Sequence, residues 1–174
     1  MITTQDFKKL ALVIGINYKN NKDAALNGCI NDAHNLSDLL QKKYNYTAKD
    51  IVLLTDDTVT KPTYKNICAA FTKIAQQTHN EKVKEVFISF SGHGSYTYDN
   101  KSEERDNWDE CIVPLDYEIN GCIYDDSINN MLGGIRKGVR VSIIIDACHS
   151  GSVCDLKYRY VAGKNQLSKT RSVI

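Results

Sequence analysis

Two apolar runs in this chain stop in the same way, and together they restrict its fold more than any other feature. One is VRVSIIIDACHSGSVCD from Val139 to Asp155, where a β-branched run breaks at Asp146, Cys148 and His149. The other lies within Val83 to Gly94, where VFISF gives way to Ser91-Gly92-His93-Gly94. Each run is short, β-branched or aromatic, and closed by a glycine-containing turn, the pattern of a strand buried on both faces of a parallel sheet. In open α/β sheets the carboxyl ends of the strands border the ligand crevice, so a thiol and an imidazole leaving two such ends can meet there. Residues two apart in a strand project to one side, which pairs Ser91 with His93 and Asp146 with Cys148.

The rest of the chain supplies alternating strands and helices. Leu10 to Ile16 reads as a first strand, and Ile30, Ala33, Leu36, Leu39 and Leu40 form one face of a helix running from Gly28 to near Tyr44. Ile51 to Leu54 is a second strand closed by Asp56-Asp57, and Pro62 opens a helix through Ile67, Ala70, Phe71 and Ile74. Beyond His93, Ser95 to Glu110 reads as a polar loop dense in carboxylates, too long to be idle in a compact domain. A strand at Cys111 to Val113, a hairpin-like stretch turning at Asn120-Gly121, and a helix capped by Asp125-Asp126-Ser127 and ended by Lys137-Gly138 follow. The fourth buried strand then reaches Cys148. This order implies an α/β fold with a mostly parallel central sheet covered on both faces.

Composition removes several function classes. A net charge of +1 provides no basic field for nucleic acid or an anionic membrane. No apolar run approaches the roughly 20 residues of a bilayer span, and Asp6, Lys8 and Lys9 stand where a secretory signal wants its apolar segment. A cytoplasmic protein is therefore expected, with its 6 cysteines as reduced thiols. No CxxC pair suggests zinc, and no P-loop or G-x-G-x-x-G follows the first strand.

Cys148 is the candidate nucleophile, because a nearby imidazole can bring a thiol below its free pKa of ~8.5. His93 is its candidate partner, and the backbone N–H groups of Gly94 and Cys148 are candidates for an oxyanion hole. His149 points away from Cys148 by alternation and takes a supporting position, while Cys154 reads as structural.

FSGHG at Phe90 to Gly94 and DACHSG at Asp146 to Gly151 resemble the His and Cys motifs of metacaspases, within the wider caspase-like cysteine peptidases. ALVIGINY from Ala11, LNGCINDA from Leu26 and LLTDD from Leu53 agree, so the likeness runs from about Leu10 to Tyr160 in the family's order and covers most of its large-subunit region. It implies a caspase-hemoglobinase-like three-layer sandwich, with residues 1–160 as the catalytic domain, 161–174 as a linker or tail, and the family's small-subunit region absent. It also implies a cysteine endopeptidase with Cys148 and His93 in the roles above. Residues matching Asp32 and Asp146, with Cys29 and Ser91 beside them, would line a pocket for Arg or Lys ahead of the cleaved bond, because buried anions need cationic partners. The bland alternatives are that Asp32 serves the first turn of its helix and that Asp146 orients His149 or caps a turn.

Aspartates at positions matching Asp109, Asp125, Asp126 and Asp155 hold the metal in calcium-activated metacaspases, so calcium is an expected activator without a catalytic role. Asp125-Asp126 reads equally as a helix cap. The loop from Asp99 to Glu110 is not an EF-hand, since Lys101 and Glu104 occupy positions that need an oxygen ligand and glycine. Lys157, Arg159, Lys164, Lys169 and Arg171 suit self-processing by an enzyme that cuts after basic residues. The expected partners are protein or peptide substrates, and a separate small-subunit-like chain or a second copy at an open sheet edge. A catalytically silent caspase-like scaffold is the alternative function.

Overall fold

The computed structural model describes residues 7–98 and 108–147, and the backbone of 158–160 and 167–169. Its centre is a parallel sheet of β1 (Lys8–Gly15), β2 (Ile51–Thr55), β3 (Val83–Ser91) and β7 (Arg140–Asp146) in the order β2-β1-β3-β7. The expected mostly parallel sheet is thus present.

Period-two alternation divides β1 between two cores. Leu10, Leu12 and Ile14 face α2 (Tyr64–Thr78) and α4 (Asp125–Gly133), in one cluster with Ile67, Phe71, Ile74 and Ile128. Ala11 and Val13 face α1 (Cys29–Tyr44), against Ala33, Leu40 and Tyr46. Helices therefore cover both faces, giving three layers. Gly15 lets the start of α1 close onto the end of β1: a Cβ there would stand 2.7 Å from that of Ala33.

A second, antiparallel sheet of β4 (Gly94–Tyr98), β5 (Trp108–Ile112) and β6 (Ile123–Tyr124) grows directly out of the end of β3. Within the stretch expected to be one long loop after His93, residues 95–98 and 108–110 belong to the two arms of a ribbon, and 99–107 lie outside the described residues. The short α3 (Tyr117–Asn120) intervenes between β5 and β6, so Asn120-Gly121 ends a helical turn, with Gly121 at φ 75°, in place of the expected tight hairpin.

Three further expectations need correction. Pro62 precedes α2, whose cap is Thr63, accepting from Asn66 N; Asp116 Oδ1 accepts from Tyr64 N at the same end. Helix α4 begins at Asp125 itself and stops at Gly133, short of Lys137-Gly138. Most consequential, β7 is not a strand buried on both faces: Val141 and Ile144 are 37% and 50% exposed. Among the described residues no strand pairs with its outer side. Its apolar composition mimics a central strand, because sequence alone does not say which strand is last. Beyond it, β8 (Tyr158–Tyr160) pairs antiparallel with β9 (Leu167–Lys169), which lies in the stretch expected to be a linker or tail.

Among the described residues no helix is long and apolar enough to cross a membrane. Cys29, Cys68, Cys111 and Cys122 are free thiols.

Candidate active site

The ends of β1, β3 and β7 lie in one row. Gly15 pairs with Ser91, and Ser91 with Asp146. Gly92 N donates to Asp146 O at 3.2 Å and Ile16 N to Ser91 O at 3.0 Å, so the ladder persists to the last residue of each strand. His93 follows Ser91 by two residues and Cys148 follows Asp146 by two. Cys148 and His149 lie outside the described residues, but the strands that carry the two motifs are parallel neighbours, and neighbouring strands run ~4.8 Å apart.

His93 is held from three directions. Its N–H donates to the Tyr18 hydroxyl at 3.0 Å, and that hydroxyl donates to Val113 O at 2.7 Å. Val113 N in turn donates to His93 O at 3.1 Å, while the Tyr18 and His93 ring centroids are 4.8 Å apart. Gly92 makes room for this contact, since a Cβ there would stand 3.1 Å from the Tyr18 hydroxyl oxygen. Burial pushes the Tyr18 phenol well above its ordinary range, which keeps it a neutral donor.

The third contact fixes the imidazole's tautomer. His93 Nε2 lies 2.8 Å from Ala24 O, and a carbonyl only accepts, so Nε2 carries the proton and Nδ1 is left as the acceptor. Ala24 sits in the loop from Asn17, which is closed by Leu26 N donating to Asn17 O. Asp56 anchors the loop's first turn by accepting from Asn17 N and Lys19 N at 2.9 and 3.0 Å, across the left-handed Tyr18 at φ 52°. Tyr18, Ala24 and Asp56 had not been singled out for this role. The residues give no signal for it, because the contacts join segments about 70 positions apart.

The bond from Val113 N to His93 O makes Gly94 and Ile112 a non-hydrogen-bonded pair of the ribbon, in which the Gly94 N–H points away from β5.

Between α1 and the β3–β7 pair is a cavity of about 290 Å³, lined by Asp32, Ser91 and Asp146 together with Ser89, Leu36 and Ile144. Three of the four residues expected to line a specificity pocket therefore meet. Cys29 opens α1 and does not line this cavity. Asp32 does lie in the first turn of α1, as its spacing predicted, and it lines the cavity as well.

A family model described as "Metacaspase, peptidase C14 domain" matches residues 8–157. The chain belongs to the metacaspase family. It is 41% identical over 157 residues to Metacaspase-1 of Saccharomyces cerevisiae, a match covering 88% of this chain and 36% of that protein. With Metacaspase-1 of Cryptococcus neoformans the identity is 44%, covering 88% of this chain and 34% of the relative. This metacaspase chain thus spans about a third of the length of the curated relatives it matches. A crystal structure of a Geobacter sulfurreducens protein superposes with a TM-score of 0.64 at 26% identity, covering 87% of this chain and 56% of that one.

The expected metal ligands are partly in view. Asp109 lies on β5; Asp125 is buried at 1% exposure and starts α4, its Oδ1 accepting from Asp126 N; Asp126 is exposed in the same turn. Asp155 lies outside the described residues. Carboxylate oxygens suit calcium in kind. Among the described residues no group of three His, Cys, Asp or Glu side chains could hold an ion, and the fourth expected ligand, Asp155, is not among those residues.

Proposed function

We propose that this metacaspase chain is a cysteine endopeptidase that cleaves peptide bonds after Arg or Lys. The observation that supports the reading best is the row Gly15–Ser91–Asp146, which sets the ends of the His and Cys strands side by side next to a cavity lined in part by Asp32 and Asp146. With Nε2 donating to Ala24 O, His93 would take the Cys148 thiol proton on Nδ1. The thiolate attacks the peptide carbonyl, and the developing oxyanion is received by the N–H groups of Gly94 and Cys148, each worth ~3 kcal/mol in the transition state. The imidazolium then gives its proton to the leaving amine, and a water deprotonated by the same imidazole releases the acyl group from sulfur. Asp32 and Asp146 would receive the cationic side chain.

Calcium binding through Asp109, Asp125, Asp126 and Asp155 is part of the proposal, as an activator outside the chemical steps. Processing at the basic residues between Lys157 and Arg171 is another part. The side of β7 with which no described strand pairs, where Val141 and Ile144 are exposed, would take an added strand from a small-subunit-like chain or a second copy.

Fluorogenic peptides with Arg, Lys, Asp or Ala ahead of the scissile bond, offered to the wild type and to Cys148→Ala with and without calcium, test this reading. Release from the Arg and Lys peptides alone, absent in the variant, is expected. No release from any of them, or equal release by the variant, would leave the silent scaffold as the better account. Intact mass after incubation reads the self-processing part, and calcium titration calorimetry on Cys148→Ala reads the metal part.

A further inference from the structure

Ser89 sits two residues before Ser91 on β3, so both side chains face the α1 side of the sheet. It pairs with Ile144 on β7, and both line the cavity bordered by Asp32, Ser91 and Asp146. Only 5% of Ser89 is exposed, yet its Oγ has no hydrogen-bond partner among the described residues. A buried hydroxyl without a partner carries a desolvation cost that folding does not recover, and such groups are rare in native proteins. Its residue lines a hollow of about 290 Å³ that Asp32 and Asp146 also line.

We propose that Ser89 is a specificity-determining residue, its Oγ accepting a hydrogen bond from the ammonium or guanidinium head of the basic side chain that enters the cavity. The inference rests on the reading of that cavity as a cation pocket and adds an anchor to it. A hydroxyl serves well there, because a long cationic head still carries N–H groups to be satisfied after it has met a carboxylate. Phe87 on the same face packs into the α1-side core, so the change to serine at 89 falls where that core gives way to the cavity.

Agmatine, a free guanidinium, added to the isotopically labelled Cys148→Ala protein provides the test, with affinity read from backbone amide shifts and no turnover required. Saturable binding at the cavity is expected, weakened about tenfold by adding Ser89→Ala and largely restored by Ser89→Thr, which keeps the hydroxyl. The melting temperature of Ser89→Ala without ligand should be unchanged or higher, because an unsatisfied buried group has been removed. Undiminished agmatine binding by Ser89→Ala would overturn the inference and leave the cation pocket standing. Failure of the parent protein to bind agmatine would overturn both. A lower melting temperature of Ser89→Ala, with weakened binding that Ser89→Thr does not recover, would assign Ser89 a structural role and overturn the inference alone.

Discussion

The central sheet is packed differently on its two faces. Toward α2 and α4, Leu12, Ile14, Val86, Ile88 and Phe90 are all buried to 2% exposure or less and join one large apolar cluster. Toward α1, Ala11 and Val13 pack against Ala33 and Leu40, but across β3 and β7 the apolar packing gives way to Ser89, Ser91, Asp146 and a half-exposed Ile144. One face carries the apolar contacts that hold the sheet; the other leaves a hollow beside the ends of the His and Cys strands. Chemistry and stability should therefore separate on mutation.

The largest effect belongs to the rim. Cys148→Ala should lower kcat toward an Arg peptide by ~10⁴-fold or more, while the denaturation midpoint stays within error of the wild type. Loss of activity together with loss of stability would mean that the rim and the core are not independent.

Next comes a direct contrast of the two faces by urea titration. Ile88→Ala, in the large cluster, should cost ~2–5 kcal/mol, whereas Ile144→Ala, half in solvent above the cavity, should cost below ~1 kcal/mol. Equal costs would mean that the cavity face is as well packed as the other.

Tyr18→Phe is intermediate and connects the two regions. It keeps the ring but removes the acceptor for His93 N and the donor to Val113 O, at an expected cost of ~1–3 kcal/mol. Because the hydroxyl positions His93 and does not touch substrate, kcat should fall with KM little changed.

The smallest effect lies at the other end of the sheet, where Glu85 on β3 meets Arg140 on β7. Burial alone would raise the Glu85 carboxyl, but hydrogen bonds from Arg140 and Tyr46 and the charges of Lys9 and Arg140 outweigh it and hold the group below its ordinary range. A depressed folded value stabilises the native state above the unfolded value of about 4.3, and that contribution is lost as pH falls through the folded value. Glu85→Gln should therefore flatten the acid limb of a stability–pH curve and leave the strand ends unaffected.

Much of this was legible in the residues. Period-two and period-3.6 patterns located β1, α1, β2 and β3 closely, because those elements bury one regular face against the core. The same patterns failed for β7, whose isoleucines suit a central strand although among the described residues it ends the parallel sheet. They failed again after His93, where Gly94 to Tyr98 form a strand without an apolar run, held by pairing with β5. In the site, the His and Cys motifs were conspicuous because each interrupts an apolar run. The supports of His93 were not, since Tyr18, Ala24 and Asp56 acquire their roles only when a loop after β1 folds back over the end of β3. Ser89 was overlooked although it shares a strand face with Ser91. The residues expected at 148, 149 and 155 lie outside the described structure.

Peptide cleavage by this route requires the Cys148 thiol to be paired with the His93 imidazole. Alkylation of Cys148 by iodoacetamide, followed across pH by peptide mass spectrometry in the wild type and in His93→Ala, reads that pairing without any substrate. Reactivity that rises well below the free-thiol value of ~8.5 in the wild type, and returns to that value in His93→Ala, is the predicted result. A Cys148 profile centred on the free-thiol value in both proteins would contradict it.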